Sequence, residues 1–159
     1  MSNLQAIRAN GWPAFFMYDF WKICPSGNPT ILLRAEDFET DRITVSTQIM
    51  NDLHLGAEQV GFINMPDAPA QNAFFNLEMM GGEFCLNATR AFALLLAQRN
   101  LLPEIPSAKE SAGIKTWTGE ITSSGVNHKI EVQVKAFSPD ASPANFCSAY
   151  HVSATLPMD

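Results

Sequence analysis

Positively charged residues are scarce in this chain, where 10 lysines and arginines stand against 16 aspartates and glutamates for a formal net charge of -6. Nucleic-acid and anionic-membrane surfaces both need a basic footprint, so these partners are excluded. Long apolar runs are lacking too, because Asp19 and Lys22 interrupt the stretch from Phe15 to Ile23, which leaves no candidate membrane span. We expect small molecules or other protein chains as partners.

Cysteine is also rare. Cys24, Cys85 and Cys147 are too few and too widely spaced for a disulfide framework in a chain of 159 residues, which favours a reducing, cytoplasmic location. Cys147 and His151 have a spacing that can bind zinc, but no second close pair accompanies them and we expect no metal. Phosphate-binding and dinucleotide-binding loops are absent as well.

Apolar residues are abundant and make up 47% of the chain. That is enough for one core, so the sequence predicts a single domain over residues 1–159, with a polar leader at 1–11 that could be disordered. A helix is predicted at 41–55, where Ile43, Ile49 and Leu53 fall on one face, with Thr40 or Asp41 as its cap and Gly56 at its end.

A second predicted helix, at 87–100, is apolar nearly all round over 88–96, which a helix tolerates only when other elements enclose it. Strands are predicted around it at 12–24, 30–33, 59–65, 73–80, 114–121, 130–134 and 151–156. This order of elements predicts an α+β fold in which a curved sheet wraps the apolar helix.

Cys85 lies between the strand predicted at 73–80 and the apolar helix predicted at 87–100. The first N–H groups of a helix lack backbone partners, so they can bind a carboxylate, and their dipole favours a thiolate. An amino-acid carboxylate would suit such a pocket. The competing interpretation is that Cys85 is a small buried apolar residue and Asn87 is merely a helix cap.

The segment 85–90 resembles a motif of the diaminopimelate epimerase superfamily, Cys-Gly-Asn-Gly-Ala-Arg, which it matches at Cys85, Asn87 and Arg90. Three further matches precede it in the order of that family, namely Gly27-Asn28, Glu58-Gln59 and Phe75-Asn76. The resemblance implies one lobe of that fold, with a curved, mostly antiparallel sheet around a central helix and a second, amphipathic helix.

The resemblance also implies a mechanism, in which Cys85 exchanges the α-proton of an amino acid without pyridoxal phosphate, metal or any other cofactor. The substrate's amino and carboxylate groups would be held by Asn28, Gln59, Asn76 and Asn87 at the helix mouth. Leu86 replaces the glycine of the motif, so either the pocket is tighter here or the helix mouth is no longer used.

A second branch of the superfamily, the phenazine-biosynthesis-type isomerases, is similar at Gly27-Asn28-Pro29 and Ala88-Thr89. In that branch an early glutamate carries the proton, and Glu58 lies at the matching place. Cys85 followed by Asn87 and Arg90 favours the racemase side, where histidine or another amino acid with a single head group is a conceivable substrate.

The resemblance covers only the first of the family's two lobes. Inversion needs an acid and a base on opposite faces of the carbon, and Cys147 lacks the following Asn-x-x-Arg pattern of a second base. Three explanations stay open: the chain is the amino-terminal part of a longer enzyme, it forms a homodimer that rebuilds the cleft, or it is a non-catalytic binding module. An isolated lobe could be inactive.

Overall fold

The computed structural model describes residues 18–68, 70, 73–105, 114–137 and 149–156. The architecture there is α+β, as predicted, with two α-helices and a mixed sheet of 8 strands. In chain order the elements are β1 (Phe20–Ile23), β2 (Thr30–Arg34), α1 (Arg42–Met50), β3 (Gln59–Asn64), β4 (Asn76–Met79), α2 (Leu86–Gln98), β5 (Glu104–Ile105), β6 (Ile114–Ser123), β7 (Ile130–Phe137) and β8 (Ala149–Thr155).

The sheet runs in the order β1-β2-β3-β4-β6-β7-β8, with β5 paired to β6 beside this path. Among the described pairs, β2 with β3 and β4 with β6 run parallel, while the others are antiparallel. β2 and β3 therefore begin at the same edge of the sheet at which β4 ends. We call this the mouth edge, because α2 begins there.

Helix α2 is the centre of the main core. Its alanines and Phe92, Leu95 and Leu96 are buried, and they pack in one cluster with side chains from most strands of the sheet, among them Leu32, Ile63, Leu77, Ile121 and Val132. Asn100 ends the helix with a left-handed backbone (φ 55°), and the N–H of Leu101 returns to the carbonyl of Leu96 at 2.9 Å, a closing motif that suits asparagine. The predicted enclosed helix is confirmed.

Helix α1 packs on the other face of β2 and β3, where Val45 and Ile49 contact a second cluster that includes Ile31, Val60 and Phe62. The predicted helix of 41–55 was wrong in length, because α1 ends at Met50. The side chain of Asn51 accepts a hydrogen bond from the N–H of Leu53 at 2.9 Å, a local turn that competes with further helix. Asp41 occupies the N-cap position but its side chain makes no capping bond.

The strand predictions are confirmed in position, with shifted ends. β1 covers only Phe20–Ile23 of the predicted 12–24, and residues 12–17 lie outside the described residues. The two-residue strand β5 was not predicted, since its neighbours Pro103 and Pro106 indicate a break. Within the described ranges, neither helix is long and apolar enough to cross a membrane.

Candidate active site

Cys85 is the N-cap residue of α2. Its backbone is extended (φ -131°, ψ 109°) and its Sγ accepts a hydrogen bond from the N–H of Ala88 at 3.4 Å. The carbonyl of Cys85 accepts two more, from the N–H and from the Oγ1 of Thr89, both at 2.9 Å. Because Thr89 is fully buried, these bonds fix the position of the half-buried cysteine on the first turn.

The first N–H groups of α2 are available to a ligand. Those of Leu86 and Asn87 have no hydrogen-bond partner among the described residues. The side chain of Asn87 is half-buried, while that of Leu86 keeps 36% of its surface exposed beside Cys85. The mouth of the helix therefore offers two N–H donors, a thiol and an apolar wall formed by Leu86. Donors in this arrangement suit a carboxylate.

The loop before Cys85 is held at the mouth edge by the β6–β7 turn. Ser124 Oγ donates to the carbonyl of Glu83 at 2.8 Å and accepts from the N–H of Met79 at 2.9 Å. Gly125 lies against the same loop so closely that a Cβ at this position would be 2.3 Å from the backbone nitrogen of Phe84. The position of Cys85 thus depends on a turn almost forty residues further along the chain.

Asn28, Glu58 and Gln59 lie at the same mouth edge, because β2 and β3 begin there in parallel and Thr30 is paired with Gln59. Thr30 Oγ1 lies 3.2 Å from Gln59 Oε1 and 3.4 Å from the carbonyl of Asn28. The N–H groups of Glu58 and Gln59 both donate to the carbonyl of Pro29, at 2.9 and 3.3 Å. The parallel pairing therefore joins the two predicted segments into one polar cluster.

Asn76 is not brought to this edge. It pairs with Asn64, five residues along β3 from Gln59, which corresponds to about 17 Å of strand. Its side chain donates to Glu78 Oε1 at 3.0 Å and accepts from Thr122 Oγ1 at 2.8 Å. The assignment of Asn76 to the substrate stays a prediction, and the contacts present here are those of a structural residue at the far end of β4.

Glu58, the alternative proton carrier, is exposed at the mouth edge, and its carboxylate has no hydrogen bond or ion pair among the described residues. Cys147, one of the two residues with zinc-type spacing in the sequence, lies outside the described residues. In the part of the chain that the structure covers, no group of three His, Cys, Asp or Glu side chains could hold a metal ion.

Sequence reasoning named Cys85, Leu86 and Asn87, which are neighbours in the chain, and the family resemblance named Asn28, Glu58 and Gln59. It missed Thr30 and the Ser124-Gly125 turn. Thr30 carries no motif of its own, and its importance follows only from the parallel pairing of β2 with β3. The turn lies between the strands predicted at 114–121 and 130–134, but no pattern in the sequence indicates which loop it contacts.

Residues 17–156 match a family model described as the histidine racemase CntK N-terminal domain. The chain is 41% identical over 118 residues to a histidine racemase of Fusobacterium nucleatum subsp. nucleatum, an alignment that covers 74% of this chain and 38% of that protein. It is 37% identical over 86 residues to a histidine racemase of Staphylococcus aureus, which covers 54% of this chain and 31% of the relative. The chain thus spans less than two fifths of the length of these curated relatives.

Proposed function

The chain belongs to the family of histidine racemase N-terminal domains, and on that premise we propose that it forms one lobe of an amino-acid racemase in which Cys85 exchanges the substrate's α-proton. The observation that carries this proposal is the place of Cys85 as the cap of a helix whose next two N–H groups are free. Acid/base group and carboxylate donors lie within one turn of each other, as α-proton exchange requires.

In the proposed reaction the carboxylate of the amino acid accepts hydrogen bonds from the N–H groups of Leu86 and Asn87. The thiolate of Cys85 removes the α-proton and becomes a thiol, and the electron pair of the broken C–H bond is delocalised into the carboxylate. The helix N–H groups stabilise the added negative charge at that position. Return of a proton to the same carbon completes the exchange, and no pyridoxal phosphate, metal or redox partner is needed to balance it.

The amide side chains of Asn28, Gln59 and Asn87 are proposed to orient the substrate. The Oε1 of Gln59 already lies beside Thr30 Oγ1, which leaves its NH2 group for the ligand. As the substrate we propose histidine, because the relatives carry that name. Leu86 would then form an apolar wall beside the reacting carbon.

Inversion requires a second acid/base on the opposite face of that carbon. We propose that it comes from a second lobe, for which the greater length of the relatives leaves room, or from a second copy of this chain across a two-fold axis, since such an interface duplicates every residue. Light scattering gives the mass in solution and so separates these two routes. Either route takes place in the cytoplasm in this proposal.

The test is exchange of the α-proton of L-histidine in deuterated buffer, followed by proton NMR, with chiral chromatography to detect inversion. Cys85→Ser should lower the exchange rate by about 10²–10⁴-fold, the usual contribution of a positioned acid/base. Cys24→Ser is the matched control, because Cys24 is an exposed free thiol on the turn before Asn28. Exchange that survives in Cys85→Ser would contradict the proposal.

A second candidate rests on Glu58, whose unpaired carboxylate lies at the same edge as Gln59. If the chain is an isomerase of the phenazine-biosynthesis type, Glu58→Gln should abolish proton exchange and Cys85→Ser should leave it unchanged. The racemase proposal predicts the opposite pair of results. The same two variants therefore decide between the two mechanisms.

A further inference from the structure

Among the described residues, the sheet does not close completely around α2. Along the helix, Leu86, Arg90, Leu94 and Gln98 are only partly buried or exposed, and they recur every four residues. Side chains at that spacing share one face of a helix. The edge strands β1 and β8 do not pair with each other, so this face of α2 lies in the gap between them. We call this gap the seam.

A cavity of about 450 Å³ occupies the seam. Its walls come from three elements: Cys24 and Ser26 before β2, Arg90 and Leu94 on α2, and Tyr150 and His151 on β8. Ile23 and Val152 add apolar surface. The size is within the range of small-molecule sites. Cys85, Leu86 and Asn87 are not among the described residues that line it, so the seam cavity and the helix mouth use different residues.

Arg90 is the residue in this cavity that needs a partner. Its Nε is buried and has no hydrogen-bond acceptor, and the whole guanidinium group has no hydrogen bond or ion pair among the described residues. The other described arginines differ. Arg34 and Arg42 pair with carboxylates, and Arg99 lies over the ring of Trp21 at 5.6 Å.

A partly buried cation without an acceptor is unfavourable, because burial removes water that nothing replaces. No aspartate or glutamate is among the described residues that line the cavity. The described residues of this wall therefore do not supply the acceptor that Arg90 lacks. Guanidinium groups bind carboxylates in a planar, two-point geometry, and Tyr150 adds a polar residue to the same cavity lining.

We propose that the seam cavity is a second binding site, which takes a small organic carboxylate with an apolar body. Arg90 holds the carboxylate, and Ile23, Leu94 and Val152 pack against the body of the ligand. The site is independent of the proposed racemase chemistry, because it uses neither Cys85 nor the N–H groups at the helix mouth.

The experiment is a two-dimensional NMR titration of the 159-residue chain with benzoate at constant ionic strength. Benzamide is the matched neutral probe, since it has the same ring and nearly the same shape without the charge. Benzoate should give saturable shifts at Leu94, Val152 and the Nε–H of Arg90. Benzamide should bind at least about tenfold more weakly, which is the loss of about 1.4 kcal/mol expected for a charge-assisted hydrogen bond.

Arg90→Gln should weaken benzoate binding by a similar factor. Arg99→Gln, at the exposed end of the same helix, is the control and should leave the dissociation constant unchanged. Equal binding of the two probes, seam shifts that persist in Arg90→Gln, or no saturable shift at the seam would each overturn the inference. Benzoate shifts confined to the amides of Leu86, Asn87 and Ala88 would also overturn it, while leaving the proposal for the helix mouth intact.

Discussion

Gly125 offers the sharpest test of how the candidate site is held in place. It adopts a left-handed backbone (φ 77°), and a Cβ there would lie 2.3 Å from the nitrogen and 3.0 Å from the Cα of Phe84. Both atoms belong to the backbone, so the clash cannot be relieved by rotating a side chain. Gly125→Ala must therefore displace the loop that leads directly to Cys85.

Gly82→Ala is the matched control. Gly82 has nearly the same backbone angle (φ 75°), but nothing lies within 4 Å of the position its Cβ would take. An alanine in the left-handed region costs about 1–2 kcal/mol, and this cost applies to both variants. Overpacking adds about 1–3 kcal/mol to Gly125→Ala alone. The difference between the two variants isolates the contact between the turn and the loop.

Urea denaturation followed by circular dichroism measures both free energies of unfolding. We expect Gly125→Ala to lose about 2–5 kcal/mol of a total of about 5–15, and Gly82→Ala to lose about 1–2. The rate at which iodoacetamide alkylates Cys85 should change in Gly125→Ala and stay the same in Gly82→Ala. Equal destabilisation of the two variants would refute the role given to the turn.

Three further predictions concern α2. Leu95→Asp should unfold the domain, because Leu95 is 3% exposed and an unpaired buried charge costs several kcal/mol. Gln98→Asp, on the exposed face, is the control and should change the free energy of unfolding by less than about 0.5 kcal/mol. A soluble Leu95→Asp with unchanged melting would show that the helix is peripheral. Thr89→Val should lose about 0.5–1.5 kcal/mol by removing the hydroxyl bond to the carbonyl of Cys85, and Thr89→Ser should keep most of it, as chemical denaturation can measure. In limited alkylation followed by mass spectrometry, Cys85 should react before Cys24 and Cys147, because Cys85 caps a helix of 13 residues whose first N–H groups are free. Earlier modification of another cysteine would contradict the helix-mouth argument.

The fold was predictable from the sequence where burial leaves a periodic signal. The enclosed helix α2 was predicted because residues 88–96 are apolar nearly all round, and β7 because Ile130, Val132 and Val134 alternate into the core. The end of α1 was not predicted, since it depends on local hydrogen bonds of Asn51, whose side chain and carbonyl accept from N–H groups of the following turn. The two residues of β5 are too few to show a period.

Local pattern alone predicts candidate-site residues only where they are close in the chain, and the more distant ones were named through the family resemblance. Cys85 and Asn87 share one turn, so the strand-to-helix junction was enough to predict them. Asn28 and Gln59 come together through the register of two parallel strands, which no local pattern indicates. Asn76 has the spacing of a site residue, but it lies beside Asn64, at the opposite end of β3 from Gln59, because β4 runs antiparallel to β3. Spacing in the sequence does not give direction in space.

The two proposed sites have a common physical origin in the incomplete burial of α2. An apolar helix has to be wrapped, and among the described residues the sheet, whose edge strands β1 and β8 do not pair with each other, leaves it uncovered at its first turn and along the seam. The polar side chains of the helix lie at these two places, since Asn87 is at the mouth and Arg90 in the seam. Thr89, between them in the chain, points into the core and is fully buried, with its hydroxyl bonded to the carbonyl of Cys85. Polar residues on this helix are thus either satisfied internally or placed where the sheet is open, and it is the open positions that can recognise a ligand.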